Sequence, residues 1–187
     1  MKTTRRASYI MAISAITFIS SLYIWFPFLG TRAAPMQHFG NVLAGVLIGP
    51  LWGIAVPLIV GSLRIVLGVG TLFAYPGGLP GVILVGLFYR LTRRFKNPRA
   101  RFLCSFAEPI GTVLIGGTVS LLLLAPFLPG LFPLSSSIII LLARNEYLVA
   151  LLIFWSGWAA SSIPGSVAGY LVLLALHRVM PQLFEID

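Results

Sequence analysis

The chain has 187 residues, 58% of them hydrophobic and only 9% charged, with a formal net charge of +9. Soluble domains carry roughly a quarter charged residues, so a mean hydropathy of +1.00 excludes a folded body in water and identifies an integral membrane protein. At about 20 residues per span there is room for five to seven helices in one membrane domain over residues 1–187, and the cation excess reads as topology rather than as a nucleic-acid surface.

Lys2, Arg5 and Arg6 precede the uncharged run Ala7–Gly30. The apolar core of a cleaved signal spans about 7–15 residues. This run is longer, so it is read as a retained first helix with its N-terminus inside, and Tyr23, Trp25 and Phe26 fall in the outer aromatic belt. The next stretch, Ala33–Leu63, carries no formal charge with a neutral His38. It is too long for one span and tight for two. Gly49-Pro50 divides it, because proline lacks the helix donor and is favoured at a helix start.

The first part of that stretch, Pro35–Pro50, reads PMQHFGNVLAGVLIGP, with Gln37, His38 and Asn41 in its opening third and aliphatic residues after them. On a helix, Gln37 and Asn41 are four apart and His38 and Asn41 three apart, so they share a face. Lipid cannot hydrogen-bond such side chains, and the stretch is therefore read as the floor or wall of a binding site. His38–Gly49 would rise only about 18 Å against a hydrocarbon core of about 30 Å, the kind of short helix from which transporters build sites.

A third segment runs from Leu51 to about Leu67 with Arg64 near its far end, followed by five glycines and two prolines within Gly68–Gly81. That composition predicts irregular backbone, tolerated at membrane depth only beside protein or water, and a fourth helix over Leu79–Leu91. Arg90, Arg93, Arg94, Lys96, Arg99 and Arg101 then mark a cytoplasmic loop. A fifth helix is predicted over Phe102–Ala125, containing Glu108. After breaks at Pro126, Pro129, Gly130 and Pro133, the apolar segment Leu131–Ala143 is too short to span and reads as interfacial or re-entrant. The last helix covers Tyr147–Leu176 with Pro164-Gly165 inside it. The fold class is thus all-α with six transmembrane helices. Ten of the 13 cations fall inside, only Arg32 and Arg144 outside, and both termini are cytoplasmic.

Under this topology polar groups converge towards the outer face. Gln37, His38 and Asn41 follow the first outer loop, Arg64 lies in the outer part of the third helix, and Thr71 and Tyr75 occupy the second outer loop. Asn145 and Glu146 open the last helix, with Trp155 and Trp158 below them. A charge within a span is costly and points to function. Arg64 is either part of the site or a gate, or else a structural group that snorkels or pairs with a carboxylate. His38 is either a ligand contact or a histidine bonded within the bundle. Glu108, about six residues above the basic loop, is assigned to pairing with a loop arginine. Ser8, Ala12 and Ala15 form a small-residue surface on the first helix, suited to internal packing or to docking another membrane protein, and glycine pairs such as Gly77 with Gly81 and Gly165 with Gly169 suit close helix packing.

Catalytic arrangements are missing. There are four carboxylates, of which Glu185 and Asp187 sit on the tail. No Cys/His spacing suits a metal, no Gly-rich loop ends in Lys-Ser/Thr, and the single cysteine, Cys104, precludes an internal disulfide. The chain is read as a non-enzyme without cofactor.

Three stretches carry a family resemblance: Ala34–Pro50; Arg64–Gly78, which reads RIVLGVGTLFAYPGG; and Glu108-Pro-Ile-Gly-Thr. Together with six short helices, a basic inner loop and no ATPase motif, they resemble the ThiW group of substrate-binding S components of energy-coupling factor (ECF) transporters, over most of residues 1–180. The resemblance implies uptake of the thiazole precursor of thiamine, hydroxyethylthiazole, across the cytoplasmic membrane of a prokaryote. It also implies a transmembrane T component and two cytoplasmic ATPases as partners, ATP being used by them and not by this chain. S components commonly meet the T component through Ala-xxx-Ala on the first helix, for which this sequence has Ser8-xxx-Ala12. Other small heteroaromatic substrates (thiamine, hydroxymethylpyrimidine) suit the same residues. A membrane enzyme acting through Glu108 or His38 and a structural membrane subunit are the rival classes.

Overall fold

The computed structural model describes residues 3–28, 31–132 and 134–184. Lys2, Gly30, Pro133, Glu185 and Asp187, which enter the sequence reading, lie outside the described residues. Helix α1 covers Thr3–Tyr23 and is followed by a short hairpin, β1 (Phe26–Phe28) and β2 (Thr31–Ala33), paired antiparallel with Phe26 opposite Ala33. Then come α2 (Pro35–Leu47), α3 (Trp52–Val66), α4 (Ala74–Thr92), α5 (Pro98–Phe127), α6 (Ser136–Ala143) and α7 (Tyr147–Val179).

The architecture is all-helical but for that hairpin, which replaces the expected continuation of the first helix to Gly30. Pro27 accounts for the early stop. It has no N–H to give the carbonyl of Tyr23, four residues back, and it pushes Phe26 out of the helical region. The expectation of irregular backbone up to Leu79 is likewise corrected, because α4 begins at Ala74 and runs through Pro76, Gly77, Gly78, Pro80 and Gly81. Packing overrides propensity there. The bare glycine surface admits Trp158 against Gly77, Pro57 against Gly78, and Glu108 with Thr112 against Gly81. The Thr112 hydroxyl oxygen also comes within 2.9 Å of the Gly77 carbonyl. The apolar stretch after the fifth helix forms α6, an eight-residue helix. Two stretches of α5, Ile110–Gly117 and Ser120–Leu124, are wound as π-helix, a rare widening that recurs at functional sites.

Helix α2 is the hub of the bundle, packing against α1, α3, α4 and α7, while α5 lies along α4 and α7. Val42, Ala44, Val60, Val82, Val85 and Leu173 fill the apolar core. The distribution of polarity is inverted relative to a water-soluble protein. Thr17, Asn41, Arg64, Glu108 and Ser162 are buried, whereas Met11, Ile16, Ile19, Leu148 and Leu152 stand exposed on the outside. Apolar outer faces and a polar interior fit a bilayer as solvent. Among the described residues, α5 and α7 are long and apolar enough to cross a membrane. With 13 residues, α2 rises only about 20 Å. The space beyond its end is a cavity of about 730 Å³ lined by Arg6, Arg90, Arg93 and Arg94 around Gly49 and Pro50.

Candidate functional site

At the opposite end of the bundle from those arginines, where α2 and α4 begin and α3 ends, lies a cavity of about 690 Å³. This is within the size range of small-molecule sites. Its walls come from α2 (Gln37, His38, Asn41), α3 (Val60, Arg64), the loop to α4 (Val69–Thr71), α6 (Ser137, Ile138) and α7 (Phe154, Trp158, Ser161).

One side of the cavity is polar and is organised from beneath by Glu108 of α5, which is fully buried. Oε1 of Glu108 accepts from Asn41 Nδ2 at 3.0 Å and from Thr112 Oγ1 at 2.7 Å, and lies 2.8 Å from His38 Nδ1. Oε2 accepts from the Ser162 hydroxyl and, at 3.4 Å, from Ser166 Oγ. Five partners from α2, α5 and α7 thus converge on a single carboxylate. Among the described residues, its contact with His38 is the only ion-pair geometry. An isolated carboxylate would be intolerable at this depth; ringed by donors, it becomes a rigid fixture that locks three helices together. The helices reach one another because two glycines clear the way. A Cβ on Gly81 would stand 2.7 Å from Glu108 Oε1, and one on Gly165 would stand 2.8 Å from His38 Cβ.

The other side is aromatic. Phe73, Phe154 and Trp158 form an edge-to-face and tilted cluster with ring centroids 5.2–6.1 Å apart, and all three line the cavity. Such a surface suits a flat ring. Arg64 also lines the cavity. Its side chain is buried, with Nη1 donating to the Ser21 carbonyl and Nη2 to the Val69 carbonyl, both at 3.0 Å. It does not snorkel, and among the described residues it pairs with no carboxylate. It ties the last turn of α1 to the loop before α4, holding backbone carbonyls that would otherwise lack partners.

Of the residues singled out from sequence, Gln37, His38, Asn41, Arg64, Thr71 and Trp158 line this cavity. Four others stand elsewhere. Tyr75 bonds through its hydroxyl to Ser62 at 2.9 Å, joining α4 to α3. The Trp155 indole donates to Thr118 Oγ1 at 3.2 Å on α5. Asn145, with φ 60°, makes the left-handed turn into α7, and Glu146 beside it is exposed. Ser8, Ala12 and Ala15 lie on the exposed face of α1 and not inside the bundle.

The structure corrects the assignment of Glu108 to a loop arginine: α5 starts at Pro98, so Glu108 lies about 15 Å along it and turns towards α2 and α7. Phe73, Phe154 and Ile138 of the wall carry no polar signal in the sequence. Periodicity alone cannot separate a cavity-facing phenylalanine from a lipid-facing one.

A family model described as "Thiamine-precursor transporter protein (ThiW)" matches residues 8–179. No curated protein and no solved structure matches the chain.

Proposed function

The chain belongs to the ThiW family of thiamine-precursor transporter proteins, and from that membership we propose that it is the substrate-binding S component of an ECF-type transporter that takes up hydroxyethylthiazole. The observation that carries the reading is the cavity itself, whose lining combines the polar side chains of α2 with the Phe73, Phe154 and Trp158 rings. A small heteroaromatic ring with a hydroxyl-bearing arm is matched by such a pair of walls: the ring lies against the aromatic side and the heteroatoms meet the polar side.

In this reading six helices cross the cytoplasmic membrane, both termini and the basic loop face the cytoplasm, and the cavity opens outward. The α6 segment and the α3–α4 loop, both of which contribute to the wall, act as its cover. The exposed small face of α1 at Ser8, Ala12 and Ala15 meets a transmembrane T component, and two cytoplasmic ATPases drive release to the inside. The chain itself performs no chemistry on the substrate.

The experiment is direct binding to the purified full chain in lipid nanodiscs, using hydroxyethylthiazole, hydroxymethylpyrimidine and thiamine. Tightest binding of the thiazole is expected. Preference for the pyrimidine or for thiamine would replace the substrate and keep the transporter reading; no binding of any of the three would remove both.

A further inference from the structure

The polar hub beneath the cavity is chemically asymmetric. Oε1 of Glu108 accepts a hydrogen from the Asn41 amide, and Thr112 Oγ1 points at the same oxygen. An oxygen in that role is an acceptor, so its third partner, His38 Nδ1 at 2.8 Å, carries a hydrogen and donates it. In the neutral ring this leaves the lone pair on Nε2. Nε2 has no hydrogen-bond partner among the described residues, yet it is not among the buried atoms that lack one. It is therefore open to space on the edge of the ring away from Glu108. His38 is part of the cavity wall.

Asn41, though also on the wall, is almost fully buried and has its amide nitrogen bonded to the carboxylate. Its visible task is to hold Glu108.

We propose that Glu108 is a positioning residue that fixes His38 in the tautomer with its lone pair facing the cavity, and that His38 Nε2 selects ligands bearing a hydroxyl donor over the same ring without one. This rests on the reading of the cavity as the substrate site. The carboxylate never touches the ligand. It prevents the imidazole from rotating or exchanging tautomers, either of which would replace the lone pair by an N–H and force the hydroxyl to accept instead of donate. A site built to accept a donor rejects analogues lacking it more strongly than an apolar pocket distinguishes shapes, because the acceptor is left unpaired.

The chain has only two histidines, His38 and His177, so labelling the full chain with nitrogen-15 histidine in nanodiscs yields two imidazoles, and His177→Gln assigns them. The expected wild-type spectrum shows His38 with its hydrogen on Nδ1 and none on Nε2, and Glu108→Gln turns it into a mixture of tautomers. In parallel, binding is measured for two matched pairs: hydroxyethylthiazole with its ethyl analogue, and hydroxymethylpyrimidine with its methyl analogue. Wild type is expected to favour the hydroxyl member by about tenfold or more, and His38→Phe is expected to abolish that preference while retaining the deoxy analogue.

Hydrogen on Nε2 or on both nitrogens in wild type, or a hydroxyl preference that survives His38→Phe, would overturn the proposal. If wild type binds only the pyrimidine pair, the thiazole reading falls and this one is decided on that pair. If wild type binds neither pair, both readings fall. Should Glu108→Gln not fold, the wild-type spectrum and His38→Phe still decide.

Discussion

The residue on which most depends is Glu108, an uncharacteristic group for the middle of an apolar helix and the meeting point of α2, α5 and α7. Removing it by Glu108→Ala leaves the hydrogens of His38, Asn41, Thr112 and Ser162 facing a void, and a loss of about 3–5 kcal/mol is expected. Its individual partners should rank by geometry. Ser162→Ala deletes a close, charge-assisted bond and should cost about 1.5–3 kcal/mol. Ser166→Ala deletes a contact at 3.4 Å and should cost less than about 1 kcal/mol. Apparent melting midpoints of the three variants in nanodiscs check the order, and a Ser166→Ala effect equal to that of Ser162→Ala would contradict it. The sequence showed that Glu108 is an intramembrane charge but not its partner. Distance along the chain gives depth, whereas partner choice depends on which way the helix is turned and what packs there.

At the scale of elements, α4 teaches the most. Its opening stretch, AYPGGLPG, has the composition of a loop and is helical because Gly77, Gly78 and Gly81 let neighbouring helices reach its backbone. Gly81→Ala is the sharp test. The added Cβ would meet Thr112 Oγ1 at 2.6 Å and Glu108 Oε1 at 2.7 Å, pushing α5 off α4, so a loss of about 1–3 kcal/mol is expected together with weakened ligand binding. Gly130→Ala, where an added Cβ meets nothing within 4 Å, should be near neutral in the same melting and binding assays. Helix α2 shows the complementary case. Its polar opening and its shortness were both legible, since Gln37, His38 and Asn41 are spaced for one helical neighbourhood and Gly49-Pro50 sets the end. The α6 wall was not, because an apolar run of that length is compatible with a lipid-facing, interfacial or cavity-facing position.

The whole molecule has two ends of opposite character. One holds the cavity over Glu108, and the other gathers Arg6, Arg90, Arg93 and Arg94 around the end of α2. In the proposed topology, with basic residues retained on the cytoplasmic side, the site faces outward. Reporter fusions at Asn97 and at both termini are expected to report cytoplasmic locations. On the outer face of α1, Ser8 and Ala12 are small and exposed. Replacing both by leucine should leave ligand affinity in nanodiscs unchanged while reducing energised uptake in cells at least tenfold, through loss of close helix contact. Uptake that persists at the wild-type rate would locate the coupling surface elsewhere.

The sequence by itself determined that this is a helical membrane protein, roughly where its helices lie, which loop is basic, and that α2 brings Gln37, His38 and Asn41 to one place. These are properties of composition, period and charge, each carried by residues close together in the chain. Only the tertiary structure decided that Glu108 belongs to that group, that Arg64 binds backbone carbonyls beside the cavity, and that Phe73, Phe154 and Trp158 share its lining. Those facts depend on the rotation of packed helices about their own axes. That rotation is set by where glycines permit contact, and no local pattern records it.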